Sequence, residues 1–350
     1  MKRKNSSRSI ASVSLMLALV ILALGIGNAQ AASTQSLLDR LYEAAKAEGE
    51  VYLQSPVKAT AIAEIAKIFE KRYPGIKVVY SNKSGGATVA QVVTEAGAGK
   101  VTIDLAACAT YQPAPLLERD LIEVPNWGEL GISDDHLVVA GRQVLYYEMA
   151  QGIAYNTKML KVNEVPQTWE DLLDPRWAGG KLLIDSRGQF GRVFCNLDKE
   201  RGLRIARGIK AQKPIFVPRM SPALQQLASE QAPLATVVLP ELIELKERGA
   251  PVELTPISPV SVSISGLFIP KGAPHPNAAK LFAVWFDTAE ARDQLDKLAG
   301  YGILEPCEAS RQAKLLCEKG IKAVGGKTLE EAIAEDEYRK EIQKALGTLK

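Results

Sequence analysis

The sequence predicts an α/β protein of two lobes, each a mixed, mostly parallel sheet flanked by helices, with a ligand cleft between them. Three observations predict it. Short β-rich runs alternate with amphipathic helical stretches, the pattern of βαβ units. The alternation occurs twice, in separate parts of the chain. The length of 350 residues also exceeds what one hydrophobic core usually supports.

Ser36 to Glu48 reads as a short amphipathic helix ended by Gly49. Glu50 to Gln54 is a strand, broken by Ser55-Pro56. Lys58 to Tyr73 follows as a helix with Ile62, Ile65, Ile68 and Phe69 on one face, and Pro74-Gly75 stops it. Ile76 to Tyr80 is a second strand, Ser84-Gly85-Gly86 a loop, Ala87 to Ala96 a helix and Val101 to Ala107 a third strand. The alternation is interrupted after Pro125. Val144 to Asn156 is too long for an ordinary strand, so it is either two strands or one strand crossing between lobes.

The second set runs through strand Leu182–Asp185, a helix from about Gln189, strand Ile215–Val217, helix Ala223–Ser229, strand Leu234–Leu239 and helix Glu241–Arg248. Val252 to Thr255 and the alternating Ser261-Val262-Ser263-Ile264-Ser265 come next, then helices from Asn277 to Phe286 and from Leu329 to Leu349. The second set lies inside the chain, so the first lobe is expected from 32–140 plus about 260–305 and the second from 141–259. The helical segment 306–350 is left unassigned to either lobe.

The N-terminus has its own logic. Lys2, Arg3, Lys4 and Arg8 precede an apolar run from Ala11 to Gly27, and Ala29-Gln30-Ala31 forms a small-residue exit. This is the layout of a cleavable secretory signal over residues 1–31. The apolar core is shorter than the ~20 residues a spanning helix needs. The chain has 43 Lys plus Arg against 40 Asp plus Glu, and four of the basic residues lie in that segment. What remains is nearly neutral, which argues against nucleic-acid binding.

Export bears on the four cysteines. Cys307 and Cys317 are ten residues apart, an easy bridge in an oxidising compartment; Cys108 and Cys195 are either bridged or two buried thiols. There is no CxxC and only two histidines, His136 and His275, which leaves a zinc or His-rich metal site without ligands.

Four stretches resemble one family. Phe69-Glu70-Lys71-Arg72-Tyr73-Pro74-Gly75-Ile76-Lys77-Val78 is similar to the opening helix-to-strand turn of exported solute-binding proteins, and Gly152-Ile153-Ala154-Tyr155-Asn156-Thr157-Lys158 to their central strand and turn. Pro166-Gln167-Thr168-Trp169-Glu170-Asp171-Leu172-Leu173-Asp174-Pro175-Arg176-Trp177-Ala178-Gly179 resembles a characteristic loop of the type II periplasmic binding proteins of ABC importers, ferric-ion-like subgroup. Ala273-Pro274-His275-Pro276-Asn277-Ala278-Ala279 matches their later helix start. The prolines, tryptophans and aspartates of these motifs are those of turns, apolar anchors and caps, so we read them as scaffold. The resemblance implies a monomeric periplasmic clamp of the type II fold that delivers a small-molecule solute to a membrane permease, with no catalysis and no cofactor.

In such folds ligands meet loops at the carboxyl ends of strands, where helix N-termini present free N–H groups. The candidate ligand residues are therefore Ser55 and Lys58 after the first strand, Ser84, Gly85 and Gly86 before a helix, and Thr110 and Tyr111 after the third strand. In the second lobe they are Ser186 and Arg187, the latter suited to a carboxylate or phosphonate, Ser221 as an N-cap before Pro222, and Glu241. Hydroxyls, helix N-termini and cations together favour a small organic anion. Glu241, if it faces the cleft, extends this to a zwitterion.

Ferric-ion relatives carry two adjacent tyrosines at a second-lobe strand-to-helix junction. Here that junction reads Val237-Val238-Leu239-Pro240-Glu241, and Lys58 stands where many relatives have a His. The adjacent pair Tyr146-Tyr147 lies mid-strand, where neighbours are expected on opposite faces. Ferric-ion or metal-chelate binding is the alternative, as is presenting ligand to a sensor. No GxSxG elbow, HExxH motif or P-loop points to an enzyme.

Overall fold

The computed structural model describes residues 35–349. The expected signal segment 1–31 lies outside them. No helix among the described residues is long and apolar enough to cross a membrane.

A helix over 35–48 (α1) leads into the first alternation: β1 (Glu50–Ser55), α2 (Ala59–Arg72), β2 (Lys77–Asn82), α3 (Gly85–Gly97), β3 (Leu105–Ala109), α4 (Ala114–Leu117), β4 (Ile122–Glu123) and β5 (Leu137–Val138). One long strand, β6 (Gln143–Asn156), opens the second: β7 (Leu182–Asp185), α5 (Lys199–Ala211), β8 (Ile215–Val217), α6 (Met220–Ala228), β9 (Leu234–Val238), α7 (Leu239–Glu247) and β10 (Val252–Leu254). The chain ends with β11 (Val260–Pro270), α8 (Pro276–Phe286), α9 (Ala289–Ala299), α10 (Arg311–Glu318), β12 (Ala323–Val324) and α11 (Leu329–Leu346).

The strands form one continuous sheet in the order β2-β1-β3-β11-β6-β9-β7-β8. Parallel pairs β1/β2, β1/β3, β7/β8 and β7/β9 make its two ends. The middle is antiparallel. β6 pairs with β11 over Val144–Gln151 and with β9 over Gln151–Tyr155, so its first half serves one end of the sheet and its second half the other. Of the two readings of this run, the single crossing strand is correct. A third crossing runs beside it, where Glu148 and Gly302 form a bridge.

Apolar burial follows the sheet. One core gathers α2, α8 and α9 over β1, with Phe69, Phe282, Trp285 and Phe286 in mutual contact. A second joins α6 and α7 to one face of β9, and a third sets Trp169, Phe190 and Phe194 against the other face. The scaffold reading of the proline- and tryptophan-rich loop is what the structure shows. Trp169 and Trp177 are buried and donate to the carbonyls of Pro259 and Asp171, while Asp171 and Asp174 accept nearby backbone N–H groups. Likewise His275 is held by Asp104 at 2.9 Å as α8 begins.

Several local expectations need correction. Gly85 and Gly86 are the first turn of α3, not a loop before it, because Ser84 already has extended geometry at the cap position. The helix expected from Gln189 is a six-residue 3-10 helix, Gln189–Phe194, and α5 begins only at Lys199 after the Asp198 cap. Ser221 is not an N-cap; α6 starts at Met220 with Arg219 at the cap, and Ser221 lies inside the first turn. Cys108 and Cys195 are free buried thiols in separate cores.

Cys307 and Cys317 form a disulfide. The segment expected to be ambiguous, 306–350, packs through α10 against α7 and through α11 against α5 and the 3-10 helix. The bridge closes a loop of about ten residues, so replacing Cys307 with Ser is expected to cost about 2–3 kcal/mol. A thiol reductant should lower the melting temperature of the unmodified protein similarly and leave the variant's unchanged.

Candidate functional site

The carboxyl ends of β1, β2 and β3 and those of β7, β8 and β9 point toward one another across β6 and β11. Helix N-termini follow most of these ends, and their first N–H groups are left free by the helix itself. Ser84 at α3, Arg219 at α6 and Val238 at α7 make no side-chain cap bond.

The clearest contact between the two sides is an ion pair. Lys58, at the start of α2, places its Nζ 3.8 Å from Glu244 Oε2 in α7. One turn earlier in α7, Glu241 Oε1 accepts from Ser221 Oγ at 2.7 Å. Sequence reasoning left open whether Lys58 and Glu241 face the cleft. Pairing of Lys58 with a residue one turn from Glu241 sets both on opposing walls.

Tyr301 lies near Glu241 and Glu244. Burial, then the nearby charges of Glu241 and Glu244 and the phenol of Tyr80, pushes its hydroxyl up from the ordinary range. Its ring stacks on Tyr147 at 4.6 Å, and the neighbouring Gly300 leaves so little room that a Cβ there would sit 3.0 Å from Pro240 Cβ. Tyr80 donates to the Ser55 carbonyl at 2.8 Å and also reaches the Val57 carbonyl. Ser55 is fully buried, 3.3 Å from the Tyr80 hydroxyl and 3.4 Å from that of Tyr146. It supports the tyrosines from behind the wall.

Glu244, Tyr80 and Tyr301 are not among the residues expected from the sequence, and Tyr147 enters there only as one of an adjacent pair. Glu244 was legible as the residue one helical turn after Glu241. Tyr80 and Tyr301 come from distant segments and carry no local signal that joins them.

Tyr146 and Tyr147 do not take opposite faces as expected. The register slips between Ser265 and Gly266, leaving Tyr146 as the extra residue of a β-bulge. Alternation fails there, the two rings lie 5.2 Å apart, and both join the same core. Burial pushes both phenols far above their ordinary range. Among the described residues no cluster of His, Cys, Asp and Glu could hold a metal ion.

The remaining candidates sit on the other flank. Thr110 Oγ1 donates to the Gly326 carbonyl at 3.2 Å. Tyr111 lies under the Arg192 guanidinium, 5.2 Å from its ring centre. Ser186 and Arg187 give their carbonyls to Gln343 and Arg339 of α11, and the Arg187 Nε donates to Asp185 at 2.8 Å. A cavity of about 1020 Å³ lies beside β6 and β11, lined by Glu148, Val262, Gly325 and the disulfide.

This fold and cleft define a two-lobed binding protein, and comparison with known proteins agrees. Residues 46–186 and 118–306 match two profiles, each described as a bacterial extracellular solute-binding protein, and the second spans more than half of the chain. The chain belongs to the family of bacterial extracellular solute-binding proteins, which bind solutes and are not enzymes. An uncharacterized protein of Haemophilus influenzae is 24% identical over 271 residues, 71% of this chain and 76% of the relative. Iron-bound HitA from Pseudomonas aeruginosa shares the fold with a TM-score of 0.69, at 18% identity over 85% of this chain and 99% of its own. The substrate-binding protein of an ABC transporter from Agrobacterium tumefaciens does so at 0.68, with 14% identity, 85% and 94%. The architecture is the two-lobed type II periplasmic-binding-protein fold expected from the motifs.

The two glycines opening α3 test how this wall is built. A Cβ on Gly85 would lie 2.8 Å from the Cys108 Cα, whereas one on Gly86 would meet only the Gln112 amide at 3.5 Å. Gly85→Ala is expected to destabilise by about 1–3 kcal/mol in denaturant titration, and Gly86→Ala to be neutral or stabilising by up to about 1 kcal/mol.

Proposed function

We propose that the protein is the solute receptor of an ABC importer, exported to the periplasm, and that it captures a small solute bearing both a carboxylate and an amine. In this reading it acts as a monomer that hands its solute to a membrane permease. The lobes are 32–140 with about 260–305, and 141–259, the segment 306–350 joining the second. The Lys58–Glu244 pair carries the reading on the solute. The cleft presents a cation from one wall and acids from the other, half exposed and only loosely joined, so a solute carboxylate takes Lys58 while its ammonium takes Glu241 and Glu244.

The surrounding groups support it. Tyr301 supplies an aromatic group beside the acids, backed by Tyr147, a setting that favours ammonium over neutral groups. The free N-terminus of α3, with Ser84 and Gly86 exposed at its opening, favours the carboxylate. This reading keeps the carboxylate of the expected organic anion and takes up the zwitterion that Glu241 suggested. A ferric ion fits less well, since Tyr146 and Tyr147 are buried in a core and the start of α7 carries no tyrosine.

Thermal unfolding with a panel of amino carboxylates, matched amine-free acids, matched amines and Fe(III)-citrate tests the proposal. Amino carboxylates should raise the melting temperature most, a ligand at a hundred times its Kd adding about 2.7 kcal/mol. A response to Fe(III)-citrate or to amine-free acids alone would overturn it. Glu241→Gln, measured by calorimetry, is expected to weaken the amino carboxylate about 10- to 100-fold, the loss of one charge-assisted hydrogen bond, with little change in the unliganded melting temperature.

A further inference from the structure

The chain beyond residue 306 lies outside both family profiles, yet it reaches the cleft. β12 runs parallel to the start of β11, in the lane beyond the end of β3. There the Gly326 carbonyl takes the Thr110 hydroxyl and the Lys327 carbonyl takes the Val139 N–H. The fit is close: a Cβ on Gly325 would lie 2.7 Å from the Val262 carbonyl oxygen, and one on Gly326 2.7 Å from the Ala332 nitrogen. α11 then lies over the turn after β7. Gln343 Nε2 and Thr348 Oγ1 donate to the Ser186 carbonyl at 3.1 and 2.7 Å, and Arg339 donates to that of Arg187 at 3.0 Å.

At the centre of this flank is Arg192, in the 3-10 helix that follows β7. Its guanidinium covers the Tyr111 ring, and its Nη2 lies 3.6 Å from Glu335 Oε2 of α11. The two side chains are 5% and 3% exposed, and Arg192 Nε has no partner. A buried guanidinium needs a compensating charge. Its contact with Tyr111, just after β3, sets it where the two parallel ends of the sheet meet.

We propose that residues 306–350 are a built-in occupant of this flank, and that Glu335 holds the place on Arg192 which a solute carboxylate would otherwise take. The inference rests on reading the interlobe cleft as the solute site, and it makes Glu335 a specificity-determining residue. By filling one anion position it confines the solute to the Lys58 and Glu241 flank.

The test uses no transported solute, so its outcome is separate from that of the panel above. Glu335→Ala removes the carboxylate and leaves space for one acetate ion. It should melt roughly 5 °C or more below the unmodified protein, and acetate should restore at least half of that loss relative to chloride at equal ionic strength. The double variant Arg192→Met with Glu335→Ala should show no such recovery. Glu335→Gln keeps the volume without the charge, so it should lose a similar margin and not recover in acetate. The proposal is overturned if Glu335→Gln melts like the unmodified protein, because Arg192 then needs no anion. It is also overturned if acetate moves Glu335→Ala no further than it moves the double variant. Should Glu335→Ala fail to fold, Glu335→Gln alone decides.

Discussion

The pairing of β6 with β11 is the constraint on which the rest depends. Both strands are long enough to serve the two ends of one sheet, and their antiparallel ladder holds those ends in a fixed relation. Each parallel end then aims its strand termini at the other, and the helix N-termini follow. The cleft is therefore a product of topology before any polar side chain is chosen. The bulge at Tyr146 is the one break in the ladder, and it rotates two phenols into the same core instead of to opposite sides of the sheet.

On this frame the two flanks of the cleft differ in kind. Lys58 and Glu244 are half exposed and joined by a long ion pair, an arrangement that an incoming molecule can replace at modest cost. Around Arg192 and Glu335 the charges are sealed and covered by a helix, and separating them would leave a buried charge unpaired. The near-neutral composition of the chain hides this contrast. Charge matters here through its placement in two small regions.

Much of the architecture was legible in the sequence, because helix and strand periods leave separate apolar patterns and prolines with glycines mark most ends. The crossing strand showed itself by length alone. Helix starts were less legible. Ser221 has the chemistry of a cap, yet Met220 is drawn into α6 by its burial in the core, which carries the helix back past the serine. In the site, strand-end residues could be named, but not their partners. Tyr301 meets Glu241 through a third crossing, and Thr110 meets Gly326 across more than two hundred residues, so no local window contains either pair. The last forty-five residues gave up a cysteine pair and a charged helix but not where they pack, since the carbonyls they cap belong to turns far upstream.

The shared strands also order events in time. β11 completes the first end of the sheet by pairing with β3 and the second through β6, so neither half can close until residues 260–270 have left the ribosome. Contacts this distant in sequence make for slow folding. Late closure suits the export proposed above: the sheet proposed to hold a solute is, during synthesis, a delay that keeps the polypeptide open.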